Sequence, residues 1–450
     1  MLRFACVGLL VAVAAFANDA APVTFYKDVL PVLQKNCQGC HRPGEIAPMS
    51  LLTYKDARPW AKAMKAAVLT GKMPPWFADA KVGHFKNEAR LTPAQINTLV
   101  SWADNSAPEG DQKDAPPPVA FNDGWNIKPD MVIEMPTEFH VPAKGTIDYQ
   151  YMLVKVNFRE DLWVSAAEMR PGDSRVVHHG EAWVLPPTSK WMEGAIPGVA
   201  YPQTAMKKTG DGHDILGKYN PRLGAQDFDF GGSAKFVPKG SDIVFEIHYT
   251  AIGTPTTDRT KVGLVFAKNP PTLRYWTSYG PTANNLVIPA GDGNAEVVSE
   301  ITAVEESTLV YVQPHMHLRG KDYEVRAIFP TGETETVFRG RFDFNWQLGY
   351  ELAKPLLLPK DTRLVGIAHF DNSVNNAFNP DPTEEVRWGL QNWQEMQNCF
   401  LGLLIDPAIN PAKVFRPSGP SLLKPVSGQA GPTLATLALA AVKESSSARR

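Results

Sequence analysis

The stretch Ile243-Val-Phe-Glu-Ile-His-Tyr249 decides the fold of most of this chain. Ile243, Phe245, Ile247 and Tyr249 recur at every second position, the period of a strand with one buried face. His248 shares the opposite face with Val244 and Glu246 and is expected to point away from the core. Similar short runs lie on either side: Tyr149 to Val156, Leu309 to Leu318 and Thr362 to Phe370. Gly, Pro, Asn and Asp clusters separate them. Short strands at such intervals are the pattern of β-sandwiches. A break at Asn269-Pro270-Pro271 divides the region into two expected β-sandwich domains, residues 119–272 and 273–416.

Upstream the texture changes. Asp111 to Pro118 is polar and proline-rich, a linker. Residues 22–110 read as helical. Thr92-Pro93-Ala94-Gln95 is a capping box with Pro at the first helical position. Ile96, Leu99, Val100 and Ala103 then follow along one helical face. At the start, Arg3, an apolar run from Phe4 to Phe16, and Ala15-Phe16-Ala17 read as a signal peptide over residues 1–17. The run is too short to span a bilayer. The expectations are cleavage near Asn18, a periplasmic location and no stable membrane insertion. Residues 417–450 are of low complexity and read as a poorly ordered tail.

The helical stretch carries Cys37-Gln38-Gly39-Cys40-His41. Two thiols one helical turn apart can bond the two vinyl groups of a haem, and the adjacent His reaches the iron. One covalent haem c is therefore expected on Cys37, Cys40 and His41. Met73, in Gly71-Lys72-Met73-Pro74-Pro75-Trp76, is the favoured sixth ligand. Met49 lies close to His41, and Met64 falls inside a helix. Residues 22–110 resemble class I cytochromes c. The expected architecture is an N-terminal all-α cytochrome c domain followed by two all-β jelly-roll sandwich domains. With Cys37 and Cys40 taken by haem and Cys6 removed with the signal, Cys399 is left alone and no disulfide is expected. Its thiol is either a small buried hydrophobe or a redox liability.

Five of the ten histidines fall in three contexts of the β region: Ser174-Arg-Val-Val-His-His-Gly-Glu-Ala-Trp-Val184, the strand with His248, and Tyr311-Val-Gln-Pro-His-Met-His-Leu318. His315 and His317 point the same way from a strand, as a chelating pair. His178 and His179 face opposite sides of a regular strand, so both reach one metal only if the strand bends there. His84, His140 and His213 form no pattern. His369 reads equally as a second layer behind a metal or as a surface residue.

These motifs resemble the copper type II, ascorbate-dependent monooxygenases, the group of peptidylglycine α-hydroxylating monooxygenase and dopamine β-monooxygenase. The resemblance spans about residues 125 to 408. It rests on His178-His179, His248-Tyr249, His315-Met316-His317 and Glu395-Met396, in the same order and at similar spacing. It implies two coppers, an electron-transfer copper on His178, His179 and His248 and an oxygen-activating copper on His315, His317 and Met396. The implied reaction is hydroxylation of a C–H bond of a small organic substrate with O₂. Electrons would come through the haem, from a redox protein or small reductant. A non-catalytic electron-transfer or copper-binding protein of the same fold is the alternative. Imidazole suits copper, and a thioether favours its reduced state.

Two positions depart from the peptide-amidating members of that group. Their carboxylate-binding Arg and Tyr correspond to Gln313 and Phe400 here, while Asn398 matches. A glycine-extended peptide is therefore not expected as substrate. Trp388 and Trp393, near Met396, read as core or cleft wall. The balance of 45 basic and 47 acidic residues offers no basic patch for nucleic acid.

Overall fold

In the computed structural model, residues 22–417 are described apart from 44, 46, 122–123, 207, 209–212 and 222, together with 422–423. The signal peptide, Cys6 and nearly all of the tail lie outside the described residues. The chain forms two compact units, one of residues up to Pro74 and Leu91–Val119, the other of Pro75–Arg90 and everything from Ala120 on.

The first unit corrects the sequence expectation of an all-α cytochrome c domain over 22–110. The structure is mostly β-sheet, and its α-helices here are short: Leu30–Asn36, Tyr54–Ala57, Ala61–Leu69 and Pro93–Asp104. Proline and glycine end helical runs between them, since Pro lacks the N–H that helix propagation needs. Residues 75–90 leave the helical set altogether. Asp79 N–H donates to the Arg339 carbonyl (2.7 Å) and Lys86 N–H to that of Glu351 (2.9 Å). Trp76 and Phe85 pack on Tyr350, at ring distances of 4.9 and 5.3 Å. That segment belongs to a β core. What remains of the first unit is a small core of Phe25, Val29, Leu33, Leu99 and Trp102. Its last helix starts at a formed capping box, in which Gln95 N–H donates to Thr92 Oγ1 (3.3 Å) and Thr92 N–H to Gln95 Oε1 (2.8 Å).

The second unit is built mainly of β-sheets, which fit the expected sandwiches in part. A five-stranded sheet contains, in order, Ala200–Pro202, Gln150–Val154, Asp242–Tyr249, Val177–Leu185 and Ile215–Tyr219. Its inner face packs on Leu162–Arg170 and Lys261–Phe266, giving a core that includes Phe245, Ile247, Val184, Val164 and Leu264. A six-stranded sheet built around Ala295–Ala303, Gly320–Ile328 and Arg363–Phe370 packs on Ser307–His315 and Asn398–Ile405. The break near Asn269-Pro270-Pro271 does not interrupt the sheet between these cores. Leu273–Tyr279 pairs in parallel with Ser233–Val237 at Leu273↔Ser233 and Arg274↔Ala234, then antiparallel with Asn398–Ile405. A nine-stranded sheet thus runs through both sandwiches. The His315 strand lies in this sheet, and the strands of His178, His179 and His248 lie in the five-stranded sheet that packs on it.

Candidate metal centre

The Asp242–Tyr249 strand pairs with Val177–Leu185 in regular register up to His248↔His179, and then Tyr249 pairs with Val177. His178 is the extra residue of a β-bulge, and a bulge re-aims side chains that a regular strand would send to opposite faces. Both imidazoles turn to one place: His178 Nδ1 lies 3.1 Å from His179 Nδ1. Ligand nitrogens of His178, His179 and His248 all lie within 4.8 Å of one another. Tyr149 holds the set from behind. Its hydroxyl is 2.9 Å from His179 Nε2, and its ring stacks on His248 at 4.6 Å and 11°. His248 Nδ1 is buried and has no hydrogen-bond partner among the described residues. A buried imidazole nitrogen left unpaired beside two others is costly unless a cation fills the place.

His315 and His317 are aimed by polar anchors from other segments. Gln347 Oε1 accepts from His315 Nδ1 (2.6 Å), and the Gln394 carbonyl accepts from His317 Nδ1 (3.2 Å). Each ring therefore keeps its Nε2 lone pair, and His317 Nε2 is buried without a hydrogen-bond partner among the described residues. Fixing one ring nitrogen on a carbonyl is how metal-binding histidines are commonly oriented. Glu395, wholly buried, accepts the backbone N–H of His317 (2.8 Å), Arg319 (2.7 Å) and Met396 (3.2 Å). One carboxylate thus ties the His-x-His turn to the methionine. Burial pushes its pKa up to about 8. Asn398 Nδ2 lies 3.5 Å from Met396 Sδ.

Burial holds the imidazoles neutral. It lowers His178 and His315 to about 4, His248 and His317 to about 3, and His179 well below the ordinary value. Neutral imidazole is the metal-binding form. The donor sets fit copper: three imidazoles in one place, two imidazoles near a thioether in the other.

The clusters are close. The Phe344 ring is 4.9 Å from His178 and 6.4 Å from His317, so those imidazoles are no farther apart than the sum of the two spans. His179, His315 and Met396 line one cavity of about 1000 Å³. Its wall also includes Glu181, Glu246, Lys208, Trp183 and His213, none of which the sequence reading singled out as functional. For Glu181, Trp183 and Glu246 the signal was period-two spacing from the histidines, 179-181-183 and 246-248; Lys208 and His213 carried none. Lys218 is a further omission. Its ammonium lies 3.2 Å from Gln313 Oε1 and 3.5 Å from the Phe400 ring centre, so these two positions do adjoin a cation.

Trp388 lines the cavity and is partly exposed, and Trp393 is exposed. Cys399 is fully buried and its thiol is pushed up to about 12, as for a small hydrophobe. His369 lies between Asp322 (2.6 Å) and Glu296 (3.5 Å).

In the first unit, Cys40 and His41 N–H both donate to the Cys37 carbonyl, at 3.1 and 2.9 Å, which closes the motif into one turn. His41 Nδ1 lies 3.3 Å from the Met49 carbonyl. Burial lowers the His41 pKa. Met64 packs on the small core and Met73 is half-buried. This local arrangement fits covalent haem attachment at Cys37, Cys40 and His41.

No protein-family model matches the chain, and no curated protein matches it. Among solved structures it is similar to the infectious bursal disease virus Gt strain (9% identity, 72% of this chain and 89% of that chain, TM-score 0.18). It is also similar to PNGF-II in the C2 space group (9% identity, 62% and 66%, TM-score 0.25). Likenesses this slight assign neither fold nor function.

Proposed function

We propose that this chain is a copper-dependent monooxygenase that hydroxylates a C–H bond of a small organic substrate with O₂, with a haem c on Cys37, Cys40 and His41 in its electron supply. One observation carries the reading. Two imidazole sets both border Phe344, and both reach one cavity. His178, His179 and His248 would hold one copper, and His315, His317 and Met396 the other. Bound copper supplies one-electron chemistry with O₂, so that substrate C–H, O₂, two electrons and two protons become C–OH and water. The chain's own residues do the rest. Tyr149 and Gln347 aim imidazoles, Glu395 joins Met396 to the His-x-His turn, and the cavity wall holds the substrate beside them.

Copper-loaded protein given ascorbate and ¹⁸O₂ should put one ¹⁸O atom into the product of a turned-over small molecule. Oxygen uptake with no labelled product from any cavity-sized substrate would refute the assignment. Matured in a host that assembles c-type cytochromes, the protein should carry one covalent haem that Cys37→Ser/Cys40→Ser abolishes. Met73→Ala should remove the Met–iron charge-transfer band. Loss of that band in Met49→Ala or Met64→Ala instead would reassign the sixth ligand.

A further inference from the structure

The wall of the cavity says which molecule it takes, given the monooxygenase reading on which this inference rests. We infer that the substrate is an uncharged, ring-bearing molecule offering both a hydrogen-bond donor and an acceptor, as a primary carboxamide does, and that carboxylates and ammonium ions are excluded.

The first observation is that the buried charges on the wall are already matched. Glu246 accepts from Lys208 at 2.8 Å, and the Lys208 ammonium lies 3.4 Å over the Trp183 ring. Glu181 lies 3.6 Å from Lys218. Glu300 faces Arg363 at 3.0 Å. Arg416, the remaining charged group of the lining, is exposed to water. A charged substrate entering here sheds its water and meets counter-ions already engaged, which is costly.

The second observation concerns what is left unmatched. Gln347 and Asn398 are each 7% exposed, and both line the cavity. Each amide is held at one end by a proposed metal ligand, Gln347 Oε1 by His315 Nδ1 and Asn398 Nδ2 by Met396 Sδ. The other ends, Gln347 Nε2 and Asn398 Oδ1, have no hydrogen-bond partner among the described residues. One neutral donor and one neutral acceptor therefore stand fixed beside the His315 and Met396 side chains. A carboxamide satisfies both at once, and a carboxylate or an ammonium satisfies only one.

Flat apolar surface completes the site. Phe400 lies 6.2 Å from the His315 ring, and Tyr279 lies 5.0 Å from Phe400. Such an aromatic row favours a ring in the ligand.

The test is titration calorimetry of the full-length protein, metal-free and copper-loaded, at pH 7 with three probes that share one ring. These are 2-phenylacetamide, phenylacetate and 2-phenylethylamine. The amide should bind about ten-fold or more tighter than either charged probe. Lys208→Met leaves Glu246 unmatched and should turn the preference to phenylethylamine. Glu246→Gln leaves Lys208 unmatched and should turn it to phenylacetate. A charged probe that binds the natural protein as tightly as the amide, or no binding by any of the three, overturns the inference. So does an unchanged preference in both variants. Preference is read on metal-free protein as well, so a chain that prefers the amide yet takes up no copper refutes the monooxygenase reading and leaves this one standing.

Discussion

The two histidine clusters are built by different means. The His178, His179 and His248 set is made by the sheet itself. One bulge in an otherwise regular ladder brings three nitrogens together, and Tyr149 backs them. The His315, His317 and Met396 set is made by anchors from distant segments: the Gln347 and Glu395 side chains and the Gln394 backbone carbonyl. The first is as stiff as its strands. The second depends in part on side-chain hydrogen bonds, from Gln347 and Glu395, that single substitutions remove, and it presents Nε2 to the site where the first presents Nδ1. On the proposed function, a centre that only passes electrons would gain from such rigidity, and one that admits O₂ and substrate from adjustable neighbours.

Breaking the clusters one at a time tests the separation. His248→Ala should reduce bound copper from two per chain to one, and so should His315→Ala/His317→Ala, by plasma emission spectrometry. A single substitution that empties both sites would show that they are not independent.

Glu395→Leu should do more harm to the fold than its neighbours do. It strands three backbone N–H groups, each costing about 1–3 kcal/mol when buried and unpaired. A lowered thermal midpoint, with loss of copper at the methionine site and retention at the other, is the expected result. An unchanged midpoint would mean that the carboxylate is not holding the turn.

Smaller effects should separate the anchors. Gln347→Leu frees His315 Nδ1 and should weaken copper at that site by about 10–100-fold with no change at the other. Tyr149→Phe keeps the ring stack on His248 and removes only the hydroxyl, so it should weaken the first site by about ten-fold or less. Competition titration with a copper chelator measures both. Equal effects of Gln347→Leu on the two sites would erase the distinction.

Much of the second unit was legible because period-two spacing is local. Ile243, Phe245, Ile247 and Tyr249 do line a core, and His248 does lie on the other face. That face is not open to water, because Val244 packs in a second apolar cluster with Tyr151, Trp183 and Trp191. Burial of both faces comes from tertiary packing, which strand periodicity cannot report. The bulge at His178 was legible only as a condition, that two adjacent histidines share a site if the strand bends. Gln347 and Phe344 were invisible, since nothing local marks a residue about 30 positions from the His-x-His as its neighbour. The first unit was misread for a related reason. The CxxCH and the capping box are local and strong, but where Pro75–Arg90 packs is decided by partners such as Arg339 and Glu351, far along the chain.

The most direct measurement is copper K-edge X-ray absorption on the reduced, fully loaded protein. Two chemically distinct centres predict one sulfur scatterer shared across two coppers, alongside imidazole nitrogens, and its loss in Met396→Ile. Absence of sulfur scattering in the natural protein, or its persistence in Met396→Ile, would contradict the assignment of Met396 and with it the oxygen-activating site.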